Sequence, residues 1–334
     1  MAQRRGRPPW RQRNTPGIEA IGIIASKQYR EREDRNVKAL LDNYQDFFKT
    51  RFIFMTWGTY FDTILQPDIK DEGDFRERNA LDPFAAYSSR ESHWESRYLN
   101  PTQGYCLRPG KRGGIIEMAC HLEASAGRDR IDNLIFLAAP DDLEESYPED
   151  RALVRSALRN NSVLLPTFTT AAHWLAYETD LKPGDSADLV QIKGPPENSK
   201  LALIAHDEKK MDLCRWVVTH CAQIQRFEGL LTTGTTGERV REFLGAVGIP
   251  PGKIEQVDSV SSGPSGGDIE IAGAILRGEC QHVVFFVDPM TSHAHEGDIQ
   301  ALVRTCSLPD VRVNLRLNKA SADSWINTIE PITT

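Results

Sequence analysis

Long apolar runs are missing from this sequence. No stretch approaches the roughly 20 consecutive apolar residues that a bilayer span needs. Residues 1–17 contain no apolar segment of the kind a secretory leader carries. A membrane-spanning or exported protein is therefore not expected. Cysteine is sparse: Cys106, Cys120, Cys214, Cys221, Cys280 and Cys306 form no C-x-x-C pair and no metal-ligand spacing. They read as reduced thiols in a cytoplasmic setting, and no structural metal is expected. Acids are missing from one end. Residues 1–14 hold five arginines and no Asp or Glu, so against an overall charge of −7 the remainder carries −12.

What is present is ordinary for a soluble globular chain: 40% hydrophobic and 26% charged residues. A length of 334 residues predicts two domains, each able to bury a core. Residues 1–17, rich in Arg, Pro and Gln, show no periodicity and are expected to be a disordered basic arm. Within them Arg5-Gly6-Arg7-Pro8 resembles the core of an AT-hook, which lays an Arg-Gly-Arg ribbon into a narrow minor groove of DNA. For so short a match, a solvated basic tail is the favoured reading.

Ile18–Ser26 is a short β-branched run, the mark of a strand buried on both faces. Apolar positions at helical spacing follow over residues 31–49, then a second buried strand, Arg51–Thr56, closed by Trp57-Gly58-Thr59. Residues 66–110 are polar and proline-containing, with scattered aromatics, and read as an ordered insertion that packs on a partner. A helix is then expected around Ile115–Ala126, a strand at Asn133–Ala138 and a helix at Pro148–Arg159. Strand Ser162–Thr167 and a helix from Thr169 end this half.

The second half runs in the same order. Strand Leu201–Ala205 leads to helix Lys210–Gln223, strand Gly229–Thr232, a Gly-Thr turn at Thr233–Gly237 and helix Glu238–Leu244. Helix Gly267–Arg277, strand His282–Val287, helix Asp298–Thr305, strand Arg312–Leu317 and a helix from Ala320 complete it. The pattern predicts an α/β protein of two tandem doubly wound, Rossmann- or flavodoxin-like, parallel-sheet domains. The expected boundaries are 18–178 with the insertion 66–110, a linker over 179–199, and 200–330.

The halves also match residue by residue. Ile23-Ile24-Ala25 pairs with Leu203-Ile204-Ala205, and Thr56-Trp57-Gly58-Thr59 with Thr232-Thr233-Gly234-Thr235. Gly113-Gly114-Ile115-Ile116-Glu117 pairs with Gly266-Gly267-Asp268-Ile269-Glu270, and Phe136–Arg155 runs without a gap against Phe285–Arg304. Duplication explains matching motifs that recur in the same order, where generic α/β alternation does not. The polar groups differ: Asp268, Asp288, His295 and His206 stand where the first copy has Ile115, Ala139, Ser146 and Ser26.

Those differences cluster around chemistry. A phosphate dianion needs charge-assisted donors, and Lys210, the hydroxyls of Thr233, Thr235 and Thr236, and Ser262 with Gly263 are of the right type. Backbone N–H groups of Gly234–Gly237 and Gly263 can form an anion nest at a strand-to-helix turn. Asp268, at the mouth of a helix, suits an N-cap or a general base equally well.

His206-Asp207-Glu208-Lys209-Lys210, Thr233-Gly234-Thr235-Thr236-Gly237, Ser262–Asp268, Asp288-Pro289, and His295 with Asp298 together resemble the motif set of the methylglyoxal synthase family. The resemblance covers about residues 199–327, and the first half is similar to the same fold in degenerate form. It implies conversion of dihydroxyacetone phosphate to methylglyoxal and inorganic phosphate, without a cofactor, by a carbon–oxygen lyase. It makes Asp268 the general base and His295 the donor to the carbonyl oxygen, with His206 on the same oxygens. Asp298 then orients His295 or opens the following helix, Asp288 positions the site, and Asp207 supports it. Family members assemble as hexamers, so a tandem chain implies a trimer forming a pseudo-hexamer, with half its sites silent. Their C-terminal tail carries an arginine used in phosphate binding or signalling between subunits; this chain ends at Thr334.

Two other function classes compete. The same fold serves as an effector-binding regulatory domain in carbamoyl phosphate synthetase, which suits the first half and not the second. A nucleic-acid-associated sensor would put the arm on DNA and the domains on a phosphorylated ligand. Asp268 and His295 together favour the enzyme.

Overall fold

Ala20–Ala25 (β1) reads AIGIIA and is buried at every position, as a central strand of a parallel sheet covered on both faces must be. The computed structural model describes residues 19–32, 35–60, 62–63, 104–124, 130–139, 147–179, 196–249, 257–291, 296–308 and 310–331. The basic arm, most of the 66–110 insertion, most of the linker, and His293 and His295 lie outside the described residues.

After β1 come α1 (Lys27–Glu31), α2 (Val37–Asn43), α3 (Gln45–Phe48), β2 (Phe52–Thr56) and α4 (Trp57–Tyr60). Then follow β3 (Gly104–Leu107), α5 (Gly114–Glu123), β4 (Asn133–Leu137), α6 (Pro148–Arg159), β5 (Val163–Leu165) and α7 (Phe168–Glu178). The second half opens with β6 (Lys200–Ala205), α8 (Lys210–Thr219), α9 (Cys221–Ile224), β7 (Gly229–Thr232) and α10 (Gly234–Ala246). It closes with β8 (Val257–Ser259), α11 (Gly267–Leu276), β9 (Cys280–Phe286), α12 (Glu296–Cys306), β10 (Asn314–Arg316) and α13 (Lys319–Ile326). No described helix is long and apolar enough to cross a membrane.

These strands form two five-stranded sheets, ordered β3-β2-β1-β4-β5 and β10-β9-β6-β7-β8, with every neighbouring pair parallel. Counted within its own half, each sheet has the order 3-2-1-4-5. The fold is therefore two copies of one doubly wound topology, with the order reversing between β1 and β4 and between β6 and β9.

Three details differ from expectation. The helical stretch expected over 31–49 is broken: Asn36 caps α2 by accepting from Ala39 N–H at 2.7 Å, and Tyr44 leaves helical geometry before α3. The insertion expected over 66–110 contains the edge strand β3, paired to β2. The Gly-Thr turn at Thr233–Gly237 is already helix, because α10 starts at Gly234.

The glycine pairs of the two halves are packing devices. Gly113 and Gly266 have φ of 100° and 94°, a left-handed conformation that glycine alone adopts without strain. A Cβ on Gly114 would sit 1.9 Å from the Arg108 carbonyl oxygen, and one on Gly267 2.0 Å from that of Ser261. The glutamates one turn on repeat as well: Glu117 accepts from Arg108 N–H at 2.9 Å and Glu270 from Ser261 N–H at 3.1 Å.

The halves meet through a pseudo-twofold exchange of helices. α7 follows β5 yet packs on β10, and α13 follows β10 yet packs on β5. Ser321 Oγ accepts from Leu164 N–H at 2.8 Å and donates to the same residue's carbonyl at 2.9 Å. Its counterpart Thr170 does the same to Leu315, at 2.9 and 3.3 Å. The N-cap residues reciprocate too, Thr167 donating to Val313 O at 3.2 Å and Asn318 to Ser162 O at 2.7 Å. Apolar residues of both halves, among them Leu153, Leu164, Leu302 and Leu315, share one core cluster beneath this seam. Such self-complementary pairing is that of an isologous dimer interface, here built within one chain.

Candidate active site

In an open parallel sheet, ligands bind beyond the carboxyl ends of the strands where the order reverses. In the second half that point lies between β6 and β9, and both strands end in polar residues there. β6 runs into His206 and β9 into Asp288. His206 N–H donates to Phe286 O at 3.2 Å, and the Asp288 N–H donates to His206 Nδ1 at 2.8 Å. Nδ1 is thus an acceptor, so the neutral ring carries its proton on Nε2. The ring is buried and meets Phe285 edge-on at 5.0 Å between centroids. Burial pushes the Asp288 carboxyl up, but hydrogen bonds from Thr291 and Met290, with Lys209 and His206 nearby, hold it below the ordinary carboxylate range.

The phosphate-type residues gather at the neighbouring strand end. Thr233 is the N-cap residue of α10, and its hydroxyl donates to Thr236 Oγ1 at 3.1 Å; both are buried. Lys210 Nζ donates to Thr235 Oγ1 at 2.6 Å and to Asp207 Oδ1 at 2.5 Å. Asp207 itself is largely exposed. Gly234 N–H donates to Ser261 O at 3.2 Å, and a Cβ on Gly234 would lie 3.4 Å from the Ser262 amide nitrogen. The first turn of α10, the Lys210 ammonium and the Ser262-Gly263 backbone therefore share one corner. A helix N-terminus with a cation and hydroxyls beside it suits an anion. Ser262 Oγ donates to Ser265 Oγ at 2.9 Å.

Asp268 is the second residue of α11 and only 1% exposed. The N-cap is Gly266, so the capping alternative for Asp268 is set aside. In the first half the same position is Ile115, also buried. The fold places a hydrocarbon side chain there without difficulty, and in the second half it holds a carboxylate instead. Asp298, half-buried, is the third residue of α12, which packs alongside α11. His295 precedes α12 outside the described residues.

The first half fills the equivalent corner with its own ion pair. Arg30, at the position of Lys210, pairs with Asp62 just beyond α4, both side chains being under one-fifth exposed. Its guanidinium lies against the start of α4, 2.7 Å from where a Cβ on Gly58 would be. Removing one member of such a pair strands the other, so Asp62→Ala is expected to cost about 3 kcal/mol. Urea unfolding of the full chain measures this; a shift within error would show the pair to be ornamental.

Residue patterning alone missed the seam and the edge strand β8. Arg241 Nη2 donates to Val257 O at 2.6 Å and to Ser259 Oγ at 2.7 Å, fastening β8 and with it the Ser261-Ser262 backbone. The polar Val257-Asp258-Ser259 carries no strand signal strong enough to find it.

No family model matches the chain. Methylglyoxal synthase from Exiguobacterium sp. is 41% identical over 130 residues, covering 39% of this chain and 86% of that protein. Methylglyoxal synthase from Thermus thermophilus is 39% identical over 132 residues, covering 39% of this chain and 97% of that protein. A crystal structure of methylglyoxal synthase from Elizabethkingia anophelis is 36% identical and covers 39% of this chain and 78% of its own, with a TM-score of 0.34. The matched length is that of one five-stranded half, and the fold assignment rests on the sheet order.

Proposed function

The chain belongs to the methylglyoxal synthase family, and from that premise we propose that its second half converts dihydroxyacetone phosphate to methylglyoxal and inorganic phosphate. The observation that carries this reading is the buried carboxylate of Asp268 at a position where the duplicate copy is content with isoleucine. A buried acid is costly, and a site that retains one uses its basicity.

In this mechanism the phosphate group sits at the N-terminus of α10, held by Lys210, Thr235, Thr236, Ser262 and Gly263, with Thr233 fixing the turn. Asp268 takes a proton from the hydroxymethyl carbon. The C–H electron pair moves onto the carbonyl carbon–oxygen unit and gives an enediolate. His206, through Nε2–H, and His295 donate hydrogen bonds to the oxygen where negative charge grows. Asp288 holds His206 through its backbone N–H, Asp298 orients His295, and Asp207 braces Lys210. Collapse of the enediolate breaks the bond between the far carbon and the phosphate oxygen. Phosphate leaves, and the resulting enol takes a proton on its terminal carbon to become methylglyoxal. No redox change occurs and atoms balance without a co-reactant.

The first half acts as a non-catalytic support, its corner closed by Arg30 and Asp62. A trimer forming a pseudo-hexamer is the assembly this reading favours; a mass of three chains by sedimentation supports it, and one or six chains excludes it.

Release of methylglyoxal and phosphate from dihydroxyacetone phosphate by the full chain tests the function. The anion corner is tested separately. Lys210→Ala is expected to weaken inorganic phosphate binding by roughly 10- to 100-fold, the value of a charge-assisted hydrogen bond. Calorimetric titration with phosphate reads it, and unchanged affinity would remove Lys210 from the site.

A further inference from the structure

The anion corner rests on an edge strand that does little to hold itself. β8 is three residues long, and of these only Val257 is buried. It delivers the Ser261-Ser262 backbone to the first turn of α10, and its fastening comes from α10 as well. Gly237 and Arg241 are four residues apart on that helix and so share one face, the face that packs on β8. From there Arg241 Nη2 donates to Val257 O at 2.6 Å and to Ser259 Oγ at 2.7 Å.

The contact continues inward. Ser259 Oγ lies 3.1 Å from Thr232 Oγ1, and Thr232 Oγ1 donates to Asp258 O at 3.2 Å. Each hydroxyl has one proton to give, so the set runs in one direction: Arg241 to Ser259, Ser259 to Thr232, Thr232 to the Asp258 carbonyl. Gly237 makes room for it, since a Cβ there would stand 2.1 Å from Ser259 Oγ and 2.2 Å from Thr232 Oγ1. The tie lies directly behind the corner, where Val260 N–H donates to Thr232 O at 2.9 Å and Gly234 N–H to Ser261 O at 3.2 Å.

The first half folds the same way without this tie. β3 pairs with β2 over four positions, against three for β8 with β7. Yet the strand neighbour of Thr56 is Leu107, where that of Thr232 is Ser259. Thr56 Oγ1 instead meets Thr59 Oγ1 at 3.2 Å. Carried on without a gap from Thr56–Thr59, the sequence has Phe61 and Leu65 at the positions of Gly237 and Arg241. The donor, the hydroxyl and the glycine are all replaced in the copy that also lacks the counterparts of His206, Asp268 and Asp288.

We propose, on the lyase reading of this site, that Arg241 is a positioning residue for the phosphate group. Through Ser259 it sets β8, and with it the Ser262-Gly263 backbone, against the N-terminus of α10. The general base is anchored separately, because Glu270 of α11 accepts from Ser261 N–H at 3.1 Å and Gly267 packs closely on Ser261 O. Loosening Arg241 therefore falls on affinity and spares turnover at saturation.

Calorimetric titration of the full chain with inorganic phosphate, beside initial rates with dihydroxyacetone phosphate, tests this. Arg241→Gln should weaken phosphate binding roughly 10-fold and raise KM by a similar factor, with kcat within about twofold. Ser259→Ala keeps the guanidinium charge and should still weaken phosphate binding roughly 5-fold. It also carries the comparison if Arg241→Gln fails to fold. The double variant should bind no more weakly than Arg241→Gln, since both changes act through one contact. Parental phosphate affinity in Arg241→Gln would overturn the proposal. So would parental affinity in Ser259→Ala, which would make the effect of Arg241 one of charge alone, or a loss confined to kcat. A parent chain that binds phosphate but forms no methylglyoxal would end the lyase reading, while the affinities would still decide the role of Arg241. A parent chain that binds no phosphate would overturn both.

Discussion

Asp268→Asn is expected to lower turnover of dihydroxyacetone phosphate by on the order of 10³-fold, the usual loss when a positioned general base is removed. The amide has nearly the same shape and cannot accept the carbon-bound proton at neutral pH. The loss should fall on kcat with little change in KM, because the phosphate corner at α10 is built from other residues. Asp268→Ile is a sharper variant, since it installs the residue that the duplicate copy carries at the same buried position. It should be as inactive as the asparagine variant yet at least as stable as the parent chain, because a buried carboxylate is exchanged for a hydrocarbon. Equal turnover in either variant would dismiss Asp268 as the base. A collapse of folding in the isoleucine variant would show that the two copies are not structurally equivalent there.

Acid is expected to weaken the fold at the seam. His282 is buried and His173 half-buried, and each is pushed down to about 3. For His173 the cause is burial, then the Arg316 charge; for His282 it is burial, then His173 and Arg316. Arg316 is itself fully buried on β10 and pulled down to about 9 by burial, with Asn314 Oδ1 accepting from its Nε at 2.7 Å. His282 stacks on Trp325 at 5.1 Å. Unfolded histidines titrate near 6.5, so below that pH the unfolded chain binds protons that the folded chain refuses. The stabilisation from neutral burial is complete above about pH 6.5 and is lost progressively as pH falls toward 3. The slope is up to about 1.4 kcal/mol per pH unit for each histidine. Urea midpoints between pH 7 and pH 4.5 read the slope directly. His173→Phe should flatten it by about half, and an unchanged slope in that variant would place the acid sensitivity elsewhere.

Much of this fold was readable in the amino-acid order because parallel strands buried on both faces leave dense β-branched runs. Ala20–Ala25, Phe52–Thr56, Asn133–Leu137 and Cys280–Phe286 all announce themselves in this way. The edge strands β3 and β8 do not, since one side of an edge strand lies outside the ladder and Val257-Asp258-Ser259 is largely polar. The start of α10 differs from expectation because Gly234 and Gly237 look like a turn, whereas the Gly237 N–H already donates to the Thr233 carbonyl at 2.8 Å and the helix begins four residues sooner than Glu238.

The glycines of Gly266-Gly267 are the more instructive case. In sequence they suggest backbone brought close to an anion. Their twins Gly113-Gly114 make the same close approach in a copy that has lost the polar groups, which assigns them to helix seating. What distinguishes the two copies is therefore a small set of polar residues: Asp268, Asp288, His295, His206 and Lys210 against Ile115, Ala139, Ser146, Ser26 and Arg30. The seam could not be read at all from one dimension. Thr170 reaching Leu315 and Ser321 reaching Leu164 are contacts between residues about 150 positions apart.

The most direct test of the central claim is a single assay on the purified full chain supplied with dihydroxyacetone phosphate, following methylglyoxal and inorganic phosphate together. The lyase reading predicts that both appear in equal amounts and that the signal vanishes in Asp268→Asn. Absence of methylglyoxal from the parent chain, or formation of glyceraldehyde 3-phosphate in its place, would contradict it.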